Sequence, residues 1–415
     1  MPSALDCSRR VIVQLSPRRD CQAREWHKEE EQRRRVGGEL VMLERLRAFA
    51  FLSIGLLAGL MLGQSDQALA QSTKPIVLKG QSSHPAASNF HLIFKLWAET
   101  VEKMSAGRLK IETLPGGAIV PPFEVFDATS KGVLDVGMTP FGYIQGRNTA
   151  TIPMSHGPLF GMDGNDYYAW YYDGGGMKLL EEFYKDHLKL NVIGFPIPTD
   201  YPQGMGWFKK EIKSLADLKG LKYRIYGIGA ETYGRLGVSV VTLPGQEIVP
   251  AMERGVIEGA EWINCLEDKK LGLHKTAKFY YTPGMHEPVT GGQLMFNKDV
   301  WAKLSPDLQE MVKVASVYAT TMRNQMFNRE TADACQELLK EGVQMRRMPD
   351  DVLINFLTEW EKIQAEYAAK NPFYKKVIES QKAYAEKVVP FRLSWFPPYD
   401  LAGNFYWKDK VYLRK

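Results

Sequence analysis

TLPGGAIVPPFEVFDATSKGVLDVG, residues 113–137, returns in shortened form as TLPGQEIVPAMERGVIEGA, residues 242–260. Each copy leaves a Thr-Leu-Pro-Gly turn, enters an apolar-periodic stretch and closes on a basic residue, Gly-Val, an aliphatic residue and an acid. That ending is Lys131-Gly132-Val133-Leu134-Asp135 in the first copy and Arg254-Gly255-Val256-Ile257-Glu258 in the second. Turn punctuation followed by a helical and then a strand-like pattern reads as strand, turn, helix, strand. A unit of that size that occurs twice predicts two lobes of similar build, and the space between lobes is where small ligands sit.

The neighbouring sequence alternates in the same way. Residues 76–78 read as a strand. A helix follows after Ser88, with Phe90, Phe94, Trp97, Val101 and Met104 at helical spacing, and 109–114 is the strand that enters the first copy. Residues 191–195 form the strand that crosses towards the second lobe, which holds strands near 203–208 and 222–226. Ser305-Pro306-Asp307 is a helix start, with a capping hydroxyl, proline at the first helical position and an acid against the dipole. Few breakers follow before Gly342, so a helix of roughly 35 residues, about 50 Å, can span both lobes as a spine. Residues 350–387 are helical apart from Asn371-Pro372. The fold class is therefore α/β: two lobes with mixed, mostly parallel sheets and a long helix across both.

Residues 42–70 carry Arg45 and Arg47, an apolar run from 48 to 62, and Ala68-Leu69-Ala70 before Gln71. This is the layout of a secretory signal peptide, too short for a comfortable membrane span. Residues 1–41 have no place upstream of such a signal and read as an over-extended frame; the mature chain then starts at Gln71. From 53 basic and 48 acidic residues, removal of residues 1–70 leaves 42 and 39. A balance so near neutral, with no basic stripe, argues against nucleic acid as a partner. Two of the four cysteines remain, Cys265 and Cys335, which can bridge or stay as buried thiols.

Arg224 lies in a short apolar strand before a glycine-rich loop, where its planar fork suits a carboxylate. Its replacement by alanine is expected to leave the fold intact and to weaken ligand binding. Gln203 and the pair Glu261-Trp262 lie at neighbouring strand ends. Glu261 and Glu287 each follow an apolar strand, and buried acids need a cation, a metal ion or hydrogen-bond donors. They either pair with basic side chains at a rim or, with Gln203 and backbone oxygens, offer a hard cation an all-oxygen shell. Enzymatic motifs are missing: GxSxG, P-loop and HExxH do not occur, and Gly227-Ile228-Gly229 with Gly234 has the wrong spacing for a dinucleotide fingerprint. His156, His274 and His286 are scattered singly.

Residues 218–262, LKGLKYRIYGIGAETYGRLGVSVVTLPGQEIVPAMERGVIEGAEW, resemble the signature region of solute receptors of tripartite ATP-independent periplasmic (TRAP) transporters. The resemblance runs from about 76 to about 387. Residues 272–288 (GLHKTAKFYYTPGMHEP) and 371–386 (NPFYKKVIESQKAYAE), with Glu261-Trp262, are similar to the branch that binds 2-oxo acids and lactate. It implies a periplasmic two-lobed receptor, not an enzyme, that closes on a small organic monocarboxylate and delivers it to the two membrane permease subunits. By position it implies that Arg224 grips the carboxylate. Gln203, Glu261, Trp262 and Glu287 would contact the ligand or a bridging sodium or calcium ion, and Phe141 and Tyr143 would supply aromatic contacts from the first lobe. It also implies a homodimer through the C-terminal helix. The expected boundaries are 71–195 with about 290–345 for the first lobe and spine, 196–289 for the second lobe, and 346–415 for the C-terminal helical segment. Two departures stand near the pocket: Ile263-Asn264-Cys265-Leu266-Glu267-Asp268 after Trp262, and Met285 where an aromatic residue is common. A secreted enzyme with Glu261 or Glu287 as base, and a chemosensory binding protein, are the alternatives.

Overall fold

The computed structural model describes residues 74–199 and 202–408; the expected signal peptide and the segment before it lie outside them. The first sheet has the order β2-β1-β3-β10-β4, built from β1 (Ile76–Ser82), β2 (Leu109–Leu114), β3 (Val136–Pro140), β4 (Val192–Thr199) and β10 (Thr290–Asn297). The second has the order β11-β9-β5-β8-β6-β7. Its strands are β5 (Gly206–Phe208), β6 (Lys222–Arg224), β7 (Ser239–Val241), β8 (Gly259–Ala260), β9 (Phe279–Thr282) and β11 (Gln344–Arg347). Five of the nine strand pairings are parallel, as a mixed, mostly parallel pair of sheets requires.

The repeat occupies matching places. In the first sheet β1 pairs in parallel with both β2 and β3; in the second, β6 pairs in parallel with both β7 and β8. The acid that closes each copy does the same work in each. Asp135 accepts from the Lys79 N–H at 2.7 Å and returns its own N–H to the Lys79 carbonyl, while Glu258 accepts from the Lys222 N–H at 3.3 Å and returns its N–H to Lys222. Each carboxylate thus closes the strand start that the turn and helix have displaced, which explains why an acid recurs there.

α1 (Asn89–Met104) buries Phe90, Phe94, Trp97 and Val101 of the stripe read from its spacing, while Met104 at its last position is exposed. It packs on α8 (Pro306–Lys340), whose 35 residues match the sequence expectation, and the Trp97 indole N–H donates to the Val312 carbonyl at 3.2 Å. From the other side comes α7 (Cys265–Leu271), tied to α8 by a Cys265–Cys335 disulfide and by Lys269, which reaches both Glu337 and Glu341 at 2.8 Å. One hydrophobic cluster therefore runs from Phe94 and Trp97 through Val312, Ala315 and Ala319 to Trp207, Ile248 and Tyr280. One face of the spine, with Val312, Ala315, Ala319 and Phe327, is buried, while Val314, Tyr318 and Met326 on the other are exposed.

Three connections join the sheets: the one from β4 to β5, described over residues 202–205, residues 283–289 from β9 to β10, and α8 leading into β11. β11 begins inside the range expected for the first lobe, yet it pairs with β9 of the second sheet. Its short alternation of polar and apolar residues carried no signal of which sheet it would join. Beyond it, α9 (Asp350–Lys370) and α10 (Pro372–Trp395) break at Asn371, whose side chain caps α10 by accepting from the Phe373 and Tyr374 N–H groups. No helix of the described residues is long and apolar enough to cross a membrane.

Candidate functional site

The site residues sit where the chain changes sheets. Gln203 is on the first crossing and Glu287 on the second, and the Gln203 N–H donates to the Glu287 carbonyl at 2.9 Å. Arg224 is the last residue of β6, and Glu261 and Trp262 follow β8, its parallel neighbour. Carboxyl ends of parallel strands at a change of strand order are where open α/β sheets leave room for ligands.

Arg224 and Glu261 are both completely buried. The Arg224 Nη1 donates to Glu261 Oε1 at 2.7 Å and to the Glu261 carbonyl at 2.9 Å, while Nε and Nη2 both donate to the Leu243 carbonyl. Four of its five N–H groups are engaged, so one at Nη2 remains for a ligand. The guanidinium also lies 5.4 Å from the Tyr226 ring centroid and 5.5 Å from that of Trp262. Gly245 of the second repeat turn packs against that indole, and a Cβ there would meet it at 2.4 Å.

On the side chains expected to form the site, three buried oxygens have no hydrogen-bond partner: Gln203 Oε1, Glu261 Oε2 and Glu287 Oε2. The other halves of these groups are held: Gln203 Nε2 donates to Thr290 Oγ1 at 2.8 Å, and Glu287 Oε1 accepts from the Tyr226 hydroxyl at 2.6 Å. Burial lifts Glu261 to about 7 despite Arg224 beside it. Burial, with the Glu261 charge added, lifts Glu287 well above the usual carboxylate range. Two acids in this condition, with free oxygens and an amide oxygen alongside, are the donor chemistry of a hard cation. No group of three or more histidines, cysteines or acids that could hold a metal ion occurs among the described residues. Of the two alternatives left open by the sequence, Glu261 takes the ion pair, with Arg224 and in the interior rather than at a rim, while Glu287 is held by the Tyr226 hydroxyl.

From the first lobe Tyr143 reaches the site, edge-on to Tyr226 at 5.7 Å and to Phe123 at 4.5 Å. Phe141 does not. Its ring is buried among Phe126, Phe183 and Tyr184, because the 3-10 turn that begins at Phe141, after β3, points that residue into the lobe and carries residue 143 out. The expected ligand contact at Phe141 is therefore corrected to a core residue. Two residues at the site were not singled out from the sequence. Tyr226 bonds Glu287, and His84 is stacked on Phe90 at 4.5 Å with Trp262 at 6.1 Å and Tyr143 at 6.2 Å. Burial, with His91 near, lowers His84 to about 3, so its imidazole is neutral.

Gly227 and Gly229 also receive a physical reason. A Cβ on Gly227 would stand 2.3 Å from the buried His156 ring, and one on Gly229 would stand 2.5 Å from Ile225 and 3.2 Å from His286. These glycines let α5 (Gly227–Arg235) start against side chains rather than phosphates. The departing segment after Trp262 forms its own structure as well: the Asn264 side chain caps α7, and Asp268 accepts from the Ile263 N–H and the Trp207 indole. A cavity of about 630 Å³ opens beside the site, lined by Tyr143, Gln145, Gly227, Glu231, Thr242 and Tyr367 among others.

Residues 81–371 match the family model described as bacterial extracellular solute-binding protein, family 7. A monocarboxylate 2-oxoacid-binding periplasmic protein of Nostoc sp. is 38% identical over 292 residues, 70% of this chain and 79% of its own. A TRAP transporter solute-binding protein of Bordetella bronchiseptica, solved as a mixed-occupancy dimer with copurified calcium and picolinate, is 29% identical with a TM-score of 0.74, covering 81% of this chain and 98% of that one. A TRAP periplasmic solute-binding protein of Pseudoalteromonas atlantica, solved with sodium and pyruvate, is 31% identical with a TM-score of 0.73, covering 81% and 100%.

Proposed function

The chain belongs to the bacterial extracellular solute-binding proteins of family 7, and from that premise we propose that it is the periplasmic receptor of a TRAP transporter. It binds a small 2-oxo monocarboxylate with a sodium or calcium ion and hands the acid to the membrane permease. The observation that carries this reading is the set of three partnerless buried oxygens on Gln203, Glu261 and Glu287, beside an arginine with one free N–H. Those side chains, with the backbone at Trp262, would hold the ion, which would take up the free oxygens of Gln203, Glu261 and Glu287 and offer a positive point for ligand oxygens. Arg224 supplies the charged donor, and Tyr143, Tyr226 and Trp262 exclude water. Nothing in the proposal requires turnover: the acids are placed to hold a charge.

Because Gln203 and Glu287 lie on the two crossings while Arg224 and Glu261 lie in the second lobe, a ligand that touches both sets favours the conformation that brings them together. The C-terminal helices add a dimer to the proposal. Phe391, Leu393, Trp395, Phe405 and Tyr406 are all more than half exposed, a larger apolar strip than a lone chain usually leaves in water. A second copy would cover it. The expected mass in solution at micromolar concentration is that of a dimer, and a monomer would remove this part.

The test of ligand and ion is a thermal-shift screen of residues 71–415 against pyruvate, longer 2-oxo acids, lactate, picolinate and a hexuronate, each with calcium, sodium or chelator. A ligand that binds only the native state raises the melting temperature by mass action. The expected result is a large shift for 2-oxo acids that shrinks when ions are withdrawn and disappears in Glu287→Gln. Protons compete for Glu261 below its raised value of about 7, so the ion-dependent part should shrink as pH falls from 8 to 6. A shift for the hexuronate alone, or equal shifts with and without ions, would overturn the ligand or the ion assignment respectively.

A further inference from the structure

We propose that His84 is the first lobe's hydrogen-bond donor to the bound carboxylate, so that the acid is held by Arg224 from one lobe and His84 from the other. The assignment rests on the carboxylate-receptor reading above. Three observations lead to it.

The first is what Arg224 lacks. With four N–H groups engaged by Leu243 and Glu261, it can donate once more but cannot present a two-point fork. A carboxylate next to an oxo group has three oxygens, and buried oxygens of that kind need further donors.

The second is the repeat. Matching Lys79 with Lys222 through their bonds to Asp135 and Glu258 makes Gln81 the first-lobe counterpart of Arg224. Gln81 is already engaged at both ends of its amide: Oε1 accepts from the Ile119 and Val120 N–H groups, and Nε2 donates to the Val120 carbonyl. The first-lobe strand that matches β6 therefore has no ligand donor at the equivalent position, and His84, just beyond its end at Ser82, stands beside Tyr143 and Trp262.

The third is how His84 is held. Its ring is stacked on Phe90, its Nδ1 lies 3.2 Å from Ser83 Oγ, and its carbonyl accepts from the Gly116 N–H of the first repeat turn at 2.8 Å. A Cβ on Gly116 would strike Ser83 at 2.7 Å, so the glycine permits this approach. With Nδ1 occupied, Nε2 on the far side of the ring is left for a ligand, and Trp262 of the opposite lobe stands 6.1 Å away. A donor already locked in orientation loses little entropy on binding.

The experiment is calorimetric titration of pyruvate with calcium into the unmodified protein, His84→Ala and His84→Gln, with the ligand-free melting temperature of each. A hydrogen bond to a charged group corresponds to a loss of about 10- to 100-fold in affinity for the alanine variant. The glutamine variant keeps an N–H donor at similar reach and should recover most of that loss, with both melting temperatures near that of the unmodified protein. Unchanged affinity in His84→Ala, or a glutamine variant as weak as alanine, would overturn the assignment. If the unmodified protein binds no carboxylate at all, the receptor reading falls and takes this one with it. Normal binding by both the parent and the alanine variant removes His84 alone.

Discussion

Replacing Arg224 with alanine is expected to weaken ligand binding by about 30- to several thousand-fold and to destabilise the protein at once. The sequence suggested that such a variant would keep its fold, because an arginine at a strand end can be a ligand group and nothing more. The structure shows a buried side chain that also neutralises Glu261 and ties Leu243 to the strand end. Removing one partner of a buried ion pair leaves the other uncompensated, at a cost of about 3–5 kcal/mol. Loss of a buried charged contact to ligand costs roughly 2–5 kcal/mol in binding, about 30- to several thousand-fold. Denaturant unfolding and calorimetry on the same preparation separate the two effects. Arg224→Lys should behave almost as badly for the ligand, since an ammonium cannot serve the Leu243 carbonyl, Glu261 and a carboxylate in their planar arrangement. Affinity within a few-fold of the parent in Arg224→Ala would remove the centre of the site.

The second large effect is expected from the Cys265–Cys335 disulfide, which closes a loop across a sequence separation of 70. Chain-entropy arguments assign a loop of that size about 4 kcal/mol. The paired replacement Cys265→Ser with Cys335→Ser should lower the denaturation midpoint accordingly, and reductant should lower that of the parent but not of the variant. Binding should weaken as well, because α7 begins three residues after Trp262 and its attachment to α8 fixes the segment that carries Glu261. A parent protein indifferent to reductant under partly denaturing conditions would show that the bridge adds no stability.

Much of this was legible before any coordinates. The repeat gave two sheets because its punctuation is local chemistry: proline and glycine at the turn, and an acid that bonds the strand start. The spine was legible because proline at the first helical position and an absence of breakers suffice to set a long helix, although the Ser305 hydroxyl donates to Asp307 and does not cap the backbone. Arg224, Gln203, Glu261, Trp262, Glu287 and Tyr143 lie near one another, since each stands close to a strand end or on a crossing. The direction of individual side chains was less accessible. Phe141 and Tyr143 lie two residues apart in an irregular turn, and no periodicity says which faces the cleft. His84 follows a polar stretch with no motif, and its importance emerges only when Gln81 is seen to be occupied. β11 illustrates the remaining limit: four residues cannot announce which of two sheets will accept them.

Arg224 and Glu261 are completely buried. In the proposed receptor, an acid held by them would leave only as the lobes part, and its residence time would be set by the opening of the protein more than by the size or diffusion of the acid. Chemically different acids that satisfy the same contacts would then leave at similar rates, and the receptor would behave as a timer whose interval its own hinge sets.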